Sequence, residues 1–320
     1  MTFAELAPAA GETRERGVLP AFILLLAVVI AAPFYAYPFF VEQTMCIALF
    51  ACAFNLLIGY VGLLSFGHAM FLGLASYVSA HVAKEWGLEP ELAILGGVLA
   101  STVLGFVTGA LAIRSSGIYF AMVTVAFSQM VFFFSVEVPF THGEDGIQAV
   151  PQGKIFGLID LSNPTVLYVF TACIMLFGFL VIFRTVNSPF GEVLKAIREN
   201  ESRATSLGYR VSQYKLAAFT LSAAIAGLAG ATKAIITQNA SLSDVGFEMS
   251  GEVVLMTLLG GMGTLYGPVV GAIVVVAMQN YLAQFGEWVT VIQGVVFVAC
   301  VLAFRRGVIG EIAKATGLSL

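Results

Sequence analysis

TVLYVFTACIMLFGFLVIFR, at residues 165–184, is a stretch of twenty residues with a single charged side chain, Arg184, at its end. A helix of about 20 apolar residues is long enough to span the hydrocarbon layer of a membrane. Because lipid offers no partners for backbone N–H and C=O groups, an apolar run that spans it must be helical. We therefore predict that residues 165–184 form a transmembrane helix.

Apolar runs of this kind recur along the chain, of which 59% is hydrophobic and 11% charged. An ordinary soluble protein has about 25% charged residues. The other long runs lie at roughly 18–40, 42–59, 66–83, 91–113, 117–136, 215–236, 264–285 and 288–304. A run at 252–262 is too short to cross alone and is expected to be a broken or re-entrant helix that protein shields from lipid. The predicted fold class is an all-α polytopic membrane protein with about 8–10 transmembrane helices.

The first run, Val18–Phe40, follows a polar segment that contains basic residues. A cleaved signal peptide also begins in this way, but its apolar core is typically ~7–15 residues long and precedes a small-x-small cleavage site. We interpret the run as a retained first helix. The predicted organisation is a cytoplasmic tail at 1–17, a transmembrane domain at 18–306 and a cytoplasmic tail at 307–320.

Charge predicts the orientation of the chain. If the N-terminus is cytoplasmic and every run crosses once, 12 of the 15 lysines and arginines fall inside and 12 of the 19 acidic residues fall outside. This distribution satisfies the positive-inside rule. The basic segments 184–215 and 305–314 are both inside only if an odd number of crossings separates them. Ten crossings meet this condition, as do eight if residues 252–285 make no net crossing, and both termini are then cytoplasmic.

The long inner connection, residues 185–214, reads TVNSPFGEVLKAIRENESRATSLGYRVSQY. Ser188 suits a helix N-cap, and Pro189 suits the first helical position, where its missing N–H costs nothing. The spacing i, i+3, i+4 and i+7 then predicts one apolar helix face. Its residues are Phe190, Val193, Leu194 and Ile197.

The same connection contains signals for a second short helix. Asn200 is expected to cap it, Gly208 to end it, and Ser212 to cap the next membrane helix. A capped amphipathic element at the cytoplasmic surface has two interpretations. It is either a docking element for a partner protein or an interfacial helix that lies against lipid headgroups.

Four segments, taken together, resemble branched-chain amino acid ABC transporter permeases of the LivM type. They are NLLIGYVGLLSFGHA at 55–69, RSSGIYFAMVT at 114–124, the inner connection with the following YKLAAF at 214–219, and GGMGTLYGP at 260–268. They occur in the family's order and cover the chain from residue 55 to residue 268. Residues 1–40 and the tail after Arg306 add little to the resemblance.

The resemblance implies an importer subunit in a bacterial inner membrane that moves small solutes by alternating access. The expected partners are a second homologous permease, two cytoplasmic ATPase subunits, a periplasmic substrate-binding protein and membrane lipid, but no nucleic acid. ATP hydrolysis would occur in the partner subunits, so neither a cofactor nor an enzymatic activity is expected here. Residues 188–208 would form the coupling helix that enters an ATPase cleft. The implied coupling positions are Pro189, Phe190, Gly191, Glu192, Arg198, Glu199 and Gly208.

Polar residues inside apolar runs are costly in lipid, so each is a candidate for the solute pathway. These candidates are Asn55, Ser65, His68, Thr124, Gln129, Gln279 and Asn280. The other interpretation is helix packing, in which such side chains hydrogen-bond to neighbouring helices. A zwitterionic solute needs partners for its ammonium and carboxylate groups, which polar side chains and Gly-rich helix breaks supply.

Several motifs are absent from the sequence. It contains no GxxxxGK[ST] motif for binding ATP, no HExxH, no GxSxG and no clustered His and Cys ligands for a metal. The alternative function is an ion-gradient-driven secondary transporter or channel, but such proteins place charged residues deep in their helices. Here nearly every charge lies at the end of a run, which favours an externally powered pore. The sequence leaves branched-chain amino acids, urea, short amides and aromatic acids open as solutes.

Overall fold

The computed structural model describes residues 37–286 and 288–303, together with the isolated positions 27, 29, 31–33 and 307. The predicted tail at 1–17 and, apart from Gly307, the tail at 307–320 lie outside the described residues. So does most of the predicted first helix, Val18–Phe40.

The described chain is almost entirely helical, which confirms the predicted all-α polytopic class. The helices are α1 Pro38–Asn55, α2 Ala69–Lys84, α3 Pro90–Ala112, α4 Ile118–Glu137, α5 Pro164–Val186, α6 Pro189–Glu199, α7 Glu201–Ser206, α8 Val211–Thr237, α9 Phe247–Gly260, α10 Gly267–Leu282 and α11 Trp288–Ala303. A π-helical turn, Leu56–Val61, extends α1. Among the described residues, five helices are long and apolar enough to cross a membrane, namely Pro38–Val61, α3, α4, α5 and α8.

The core forms where α8 packs against α1, α2 and α3. Small residues allow these helices to approach closely, as the GxxxG spacing of Gly105 and Gly109 predicts. A Cβ atom at Gly105 would lie 2.3 Å from the Cβ atom of Ala223, and one at Gly109 would lie 2.8 Å from the ring of Phe219. Helix α1 is buried almost completely, so it lies at the centre of the described bundle.

Other helices leave apolar faces open. On α3 the exposed large side chains follow helical spacing, and they are Leu92, Leu95, Leu99, Val103 and Phe106. On α4 they are Ile118, Met122, Met130, Phe133 and Phe134. A soluble protein rarely exposes apolar patches of this extent, so these faces are suited to contact with lipid or with another membrane subunit.

Helices α9 and α10 form a tight hairpin around the turn at residues 261–266. The apolar run at 252–262 belongs to a helix that begins earlier, at Phe247, and the break follows its last residue, Gly260. Within the turn, Gly261 and Gly263 have positive φ angles of 122° and 76°, which glycine adopts without steric cost.

One side chain of α1 holds this turn. The Asn55 Nδ2 atom donates to the Thr264 carbonyl at 2.8 Å, and its Oδ1 atom accepts from the Gly263 N–H at 3.0 Å. Asn55 is buried. Its amide therefore supplies the non-helical backbone with both a donor and an acceptor.

The outer connection between α4 and α5 is structured. Strand β2, Lys154–Ile155, pairs antiparallel with β3, Ile159–Asp160, within this connection. Strand β1, Ile147–Gln148, pairs antiparallel with β4, Asn239–Ala240, which follows α8. Hydrogen bonds from Ser162 lower the pKa of the Asp160 carboxyl group. This connection is therefore tied to the end of α8 rather than being free.

The hairpin predicts a contrast between two glycines. A Cβ atom at Gly271 would lie 1.8 Å from the Met256 carbonyl oxygen, whereas one at Gly251 meets nothing within 4 Å. We expect Gly271→Ala to destabilise the protein by about 1–3 kcal/mol, because overpacking forces the backbones apart. Gly251→Ala is the control and should not lower the unfolding temperature in detergent. Equal unfolding temperatures for the two variants would contradict the close packing of α9 and α10.

The Asn55 contacts generate a second prediction. Asn55→Ala leaves a half-buried carbonyl and a half-buried N–H of the 261–266 turn without their partners, and each costs up to about 1–3 kcal/mol. We expect a lower unfolding temperature in detergent, read from the monodisperse fraction after heating. Asn280→Ala removes an exposed amide and serves as the control. An unchanged unfolding temperature for Asn55→Ala would show that the turn is held by other contacts.

Candidate functional site

The cytoplasmic connection folds from local capping signals. The Ser188 hydroxyl accepts from the Gly191 N–H at 3.3 Å, and Pro189 occupies the first position of α6. The predicted apolar face is confirmed, because Leu194 and Ile197 are buried. At the start of the same face, the Phe190 ring stacks on Tyr214 with 5.6 Å between the ring centroids.

The second short helix also begins and ends as predicted. The Asn200 Oδ1 atom accepts from the Arg203 N–H at 2.9 Å, and Gly208, at a φ of 89°, follows α7. The expected Ser212 cap is wrong, because α8 begins at Val211 with Arg210 in the N-cap position and no side-chain cap. The Lys215 ammonium binds the Glu201 carboxylate at 2.7 Å, which fixes α7 to α8.

The predicted coupling positions divide into an outward and an inward set. The exposed positions are Pro189, Glu192, Arg198, Glu199 and Gly208. Phe190 is half-buried, and Gly191 is buried with no room for a side chain. A Cβ atom at Gly191 would lie 2.2 Å from the Val186 carbonyl oxygen, so this glycine allows the sharp connection between α5 and α6.

Arg198 has a contact that its place on the loop does not indicate. Its Nη1 atom donates to the carbonyl oxygen of Gly59, in the π-helical turn at the end of α1. Its Cγ atom lies 3.2 Å from the Cβ position of Gly62, and its Nη1 atom lies 3.1 Å from that of Gly263. The side chain thus reaches from α6 to two glycine-rich breaks of the membrane domain, namely the Gly59–Gly62 end of the π-helical turn and the 261–266 turn.

Three predicted pathway residues meet at the non-helical link 62–68, between the π-helical turn and α2. Ser65 and His68 are buried in this link. Thr124 reaches it from α4, where its Oγ1 atom accepts from the Phe66 N–H at 3.2 Å. Next to this contact, a Cβ atom at Gly67 would lie 3.3 Å from that of Ser128. Thr124 and Ser128 of α4 therefore pack against the link that contains Ser65 and His68.

The His68 ring lies among aromatic side chains. Its Nε2 atom is 3.2 Å from the Ser222 hydroxyl, and its aromatic neighbours are Phe50, Phe54 and Phe71. The Ser65 Oγ, His68 Nδ1 and Ser128 Oγ atoms are buried without a hydrogen-bond partner in the described structure. A buried polar atom without a partner is costly in a low-dielectric interior, so each of these three atoms is a candidate for a polar contact with water or solute.

The remaining pathway candidates lie elsewhere. Gln279 hydrogen-bonds to Glu252 across the α9–α10 hairpin, while Asn280 is exposed and Gln129 is half-buried on α4. Asn55 uses both amide atoms to hold the 261–266 turn. The seven candidates therefore do not form one continuous site, because three lie at the link 62–68 and the other four lie elsewhere.

Two serines that support the end of the link at 62–68 were not among the predicted site residues. Ser250 accepts from the Ala69 N–H at 3.0 Å, and Ser222 donates to the Ala53 carbonyl oxygen beside His68. Serine within an apolar helix is also common in ordinary helix packing. Their sequence context therefore gave no signal that distinguishes them.

Comparison with known proteins places the chain in a family. The family described as "Branched-chain amino acid transport system / permease component" matches residues 38–301. The high-affinity branched-chain amino acid transport system permease protein LivM of Escherichia coli is 27% identical over 93% of this chain and 76% of its own length. LivM of Salmonella typhimurium is 27% identical over 90% of this chain and 74% of its own length.

A relative with a different printed solute also matches. The ribose import permease protein RbsC of Bacillus subtilis is 24% identical over 89% of this chain and 90% of its own length. No solved structure matches the chain. Because the family match covers most of the chain, this protein belongs to the family of branched-chain amino acid transport system permease components.

Proposed function

We propose that this protein is the transmembrane permease subunit of an ATP-binding-cassette importer in a bacterial inner membrane. It moves branched-chain amino acids or similar small solutes by alternating access. The observation that carries the proposal is the capped α6–α7 element. Its apolar face packs on the membrane domain and its charged face points outward, as a docking element requires.

The proposed partners follow from the family and from the names of the relatives. Two LivM proteins are named as permeases of a branched-chain amino acid transport system, and a permease component requires other components to form a system. We assign this chain a second homologous permease, two cytoplasmic ATPase subunits and a periplasmic substrate-binding protein. The binding protein would select the solute, and the ATPases would supply the energy.

Coupling would use the outward residues of α6 and the residues that follow it. Pro189, Glu192 and Glu199 are exposed on α6, and Gly208 is exposed after α7. Glu192 forms an ion pair with Lys195 at 2.8 Å, so part of this surface is already ordered. A rigid, charged and compact surface can enter a cleft of an ATPase with little loss of conformational entropy.

The solute pathway would run along the open face of α9. Glu248 is exposed, Gly251 has open space beside it, and Glu252 is half-buried. Further along the same face, the half-buried Leu255 and Leu258 are apolar. Carboxylates within a membrane helix face a polar cavity or a partner rather than lipid. We therefore place this face toward the second permease, where Glu252 and its partner Gln279 contact the ammonium group of the solute.

The docking proposal predicts a charge-reversal phenotype. Glu199→Lys places a cation among the basic residues of the inner loop and should weaken association with the ATPases by tenfold or more, about 1.4 kcal/mol. The measurement is the amount of ATPase that co-purifies with the permease in mild detergent. Glu144→Lys, an exposed reversal in the outer connection, should retain wild-type amounts. If wild-type permease purifies alone across several detergents, the result would favour the alternative function, a secondary transporter or channel.

The pathway proposal predicts a transport defect without a docking defect. Glu252→Gln replaces the carboxylate by an uncharged amide of similar size. We expect uptake of leucine to fall about tenfold, because roughly one charge-assisted hydrogen bond is lost. ATPase co-purification should stay at the wild-type level. Glu137→Gln, the same change at the exposed end of α4, is the control. Unchanged leucine uptake in Glu252→Gln would remove the α9 face from the pathway.

A further inference from the structure

We infer that Arg198 is a positioning residue that joins the coupling helix to both glycine-rich breaks of the membrane domain, so that the two breaks move together when α6 moves. This inference rests on the proposed function. It assigns Arg198 a role inside the chain rather than a contact with the ATPase, although the residue lies on the docking element. The two breaks are the Gly59–Gly62 end of the π-helical turn and the 261–266 turn.

The first observation is the path of the side chain. The stem of Arg198 passes over Gly62, with its Cγ atom 3.2 Å from the position that a Cβ atom would take there. Its Nη1 atom donates to the Gly59 carbonyl oxygen. Part of the side chain remains exposed, but the donor that reaches the membrane domain is already engaged within this chain.

The second observation is that the two breaks touch each other at this point. A Cβ atom at Gly59 would lie 2.7 Å from the Gly263 backbone nitrogen, and one at Gly263 would lie 3.2 Å from the Gly59 carbonyl oxygen. The same position at Gly263 is 3.1 Å from the Arg198 Nη1 atom. Helix α6, the π-helical turn and the 261–266 turn therefore meet within van der Waals contact. Glycine at positions 59 and 263 leaves room for the guanidinium group between them.

The third observation is a second connection between the breaks. Asn55, one turn before Gly59, bonds to Gly263 and Thr264. Thr264 in turn closes its own turn, because its Oγ1 atom donates to the Gly261 carbonyl at 2.8 Å and accepts from the Gly267 N–H at 3.1 Å. The breaks are thus held to each other by Asn55, and Arg198 alone of these groups belongs to the coupling helix.

The chemistry of arginine suits this position. The guanidinium group is always charged and presents five donors in a rigid planar fork, so it binds backbone carbonyl groups with a fixed geometry. A helix break exposes carbonyl groups that lack helical partners. A displacement of α6 would therefore be transmitted to the Gly59 carbonyl and, through the Gly59–Gly263 contact, to the α9–α10 turn.

The test compares Arg198→Ala, Arg198→Lys and Arg203→Ala. Arg203 is an exposed basic residue of the same loop and serves as the matched control. Amide hydrogen exchange is measured for peptides that cover residues 55–66 and 258–268, first in the purified permease without partners. We expect Arg198→Ala to raise exchange in both peptides by about tenfold, the effect of losing a hydrogen bond to a charged group. Arg198→Lys should show a smaller rise, because it retains one charged donor, and Arg203→Ala should show none.

The second stage uses the complete complex of both permeases and both ATPases. In the wild type, trapping the ATPases with ATP and vanadate should change exchange in both peptides together. In Arg198→Ala the ATPases should still co-purify in wild-type amounts while the nucleotide no longer changes exchange, and solute uptake should fall at least tenfold.

Two outcomes would overturn the inference. One is unchanged exchange in either peptide of the Arg198→Ala permease. The other is loss of ATPase co-purification in Arg198→Ala, which would make Arg198 a docking residue. Failure of the wild-type permease to bind ATPases would instead refute the proposed function and leave the exchange result on the isolated chain standing. If Arg198→Ala does not fold, Arg198→Lys is the test of the inference. Wild-type exchange in both peptides of Arg198→Lys, together with lost solute uptake, would contradict a positioning role.

Discussion

The fold depends on one constraint, which is that backbone polar groups in a membrane domain must find their partners within the protein. Long helices meet this condition without help. The chain departs from helix at residues 62–68 and 261–266, and at both places side chains from distant helices supply the partners. Thr124 and Ser250 serve the first link, and Asn55 serves the second. Without these polar side chains, the backbone of the two non-helical segments would lack hydrogen-bond partners.

Local signals in the sequence were sufficient to predict the cytoplasmic element. A cap acts over three residues, as the Ser188–Gly191 and Asn200–Arg203 bonds do, and amphipathic spacing acts over two turns. Both can be identified from a single stretch of sequence. The Ser212 cap failed because the helix begins one residue earlier, with Arg210 in the N-cap position. The Arg210 carbonyl oxygen accepts the first bonds of the helix from the Gln213 and Tyr214 N–H groups at 2.9 and 3.3 Å.

The contacts that form the candidate site join residues that are far apart in the sequence. Arg198 and Gly59 are 139 residues apart, and Asn55 and Gly263 are 208 apart. Hydropathy gives the approximate extent of each helix but not the helix that lies beside it, so neither pair could be predicted. The polar candidates were selected as groups that are costly in lipid, yet a single sequence could not separate Asn55, which holds a turn, from Ser65, which has an unpaired hydroxyl group.

The link at 62–68 lies between α6 and buried polar atoms of the membrane domain. At one end, Gly62 lies under the stem of Arg198. At the other end, His68 lies against Ser222 and precedes the first residue of α2. Ser65 lies between these points on the same stretch of backbone, and its hydroxyl oxygen, like the His68 Nδ1 atom, is buried without a hydrogen-bond partner in the described structure. A displacement that reaches Gly62 from the coupling helix has only a few residues to cross before it changes the surroundings of those atoms. Because close-packed interiors transmit displacement rather than absorb it, a short link of this kind can transmit a movement of the cytoplasmic surface to the buried polar atoms of the membrane domain.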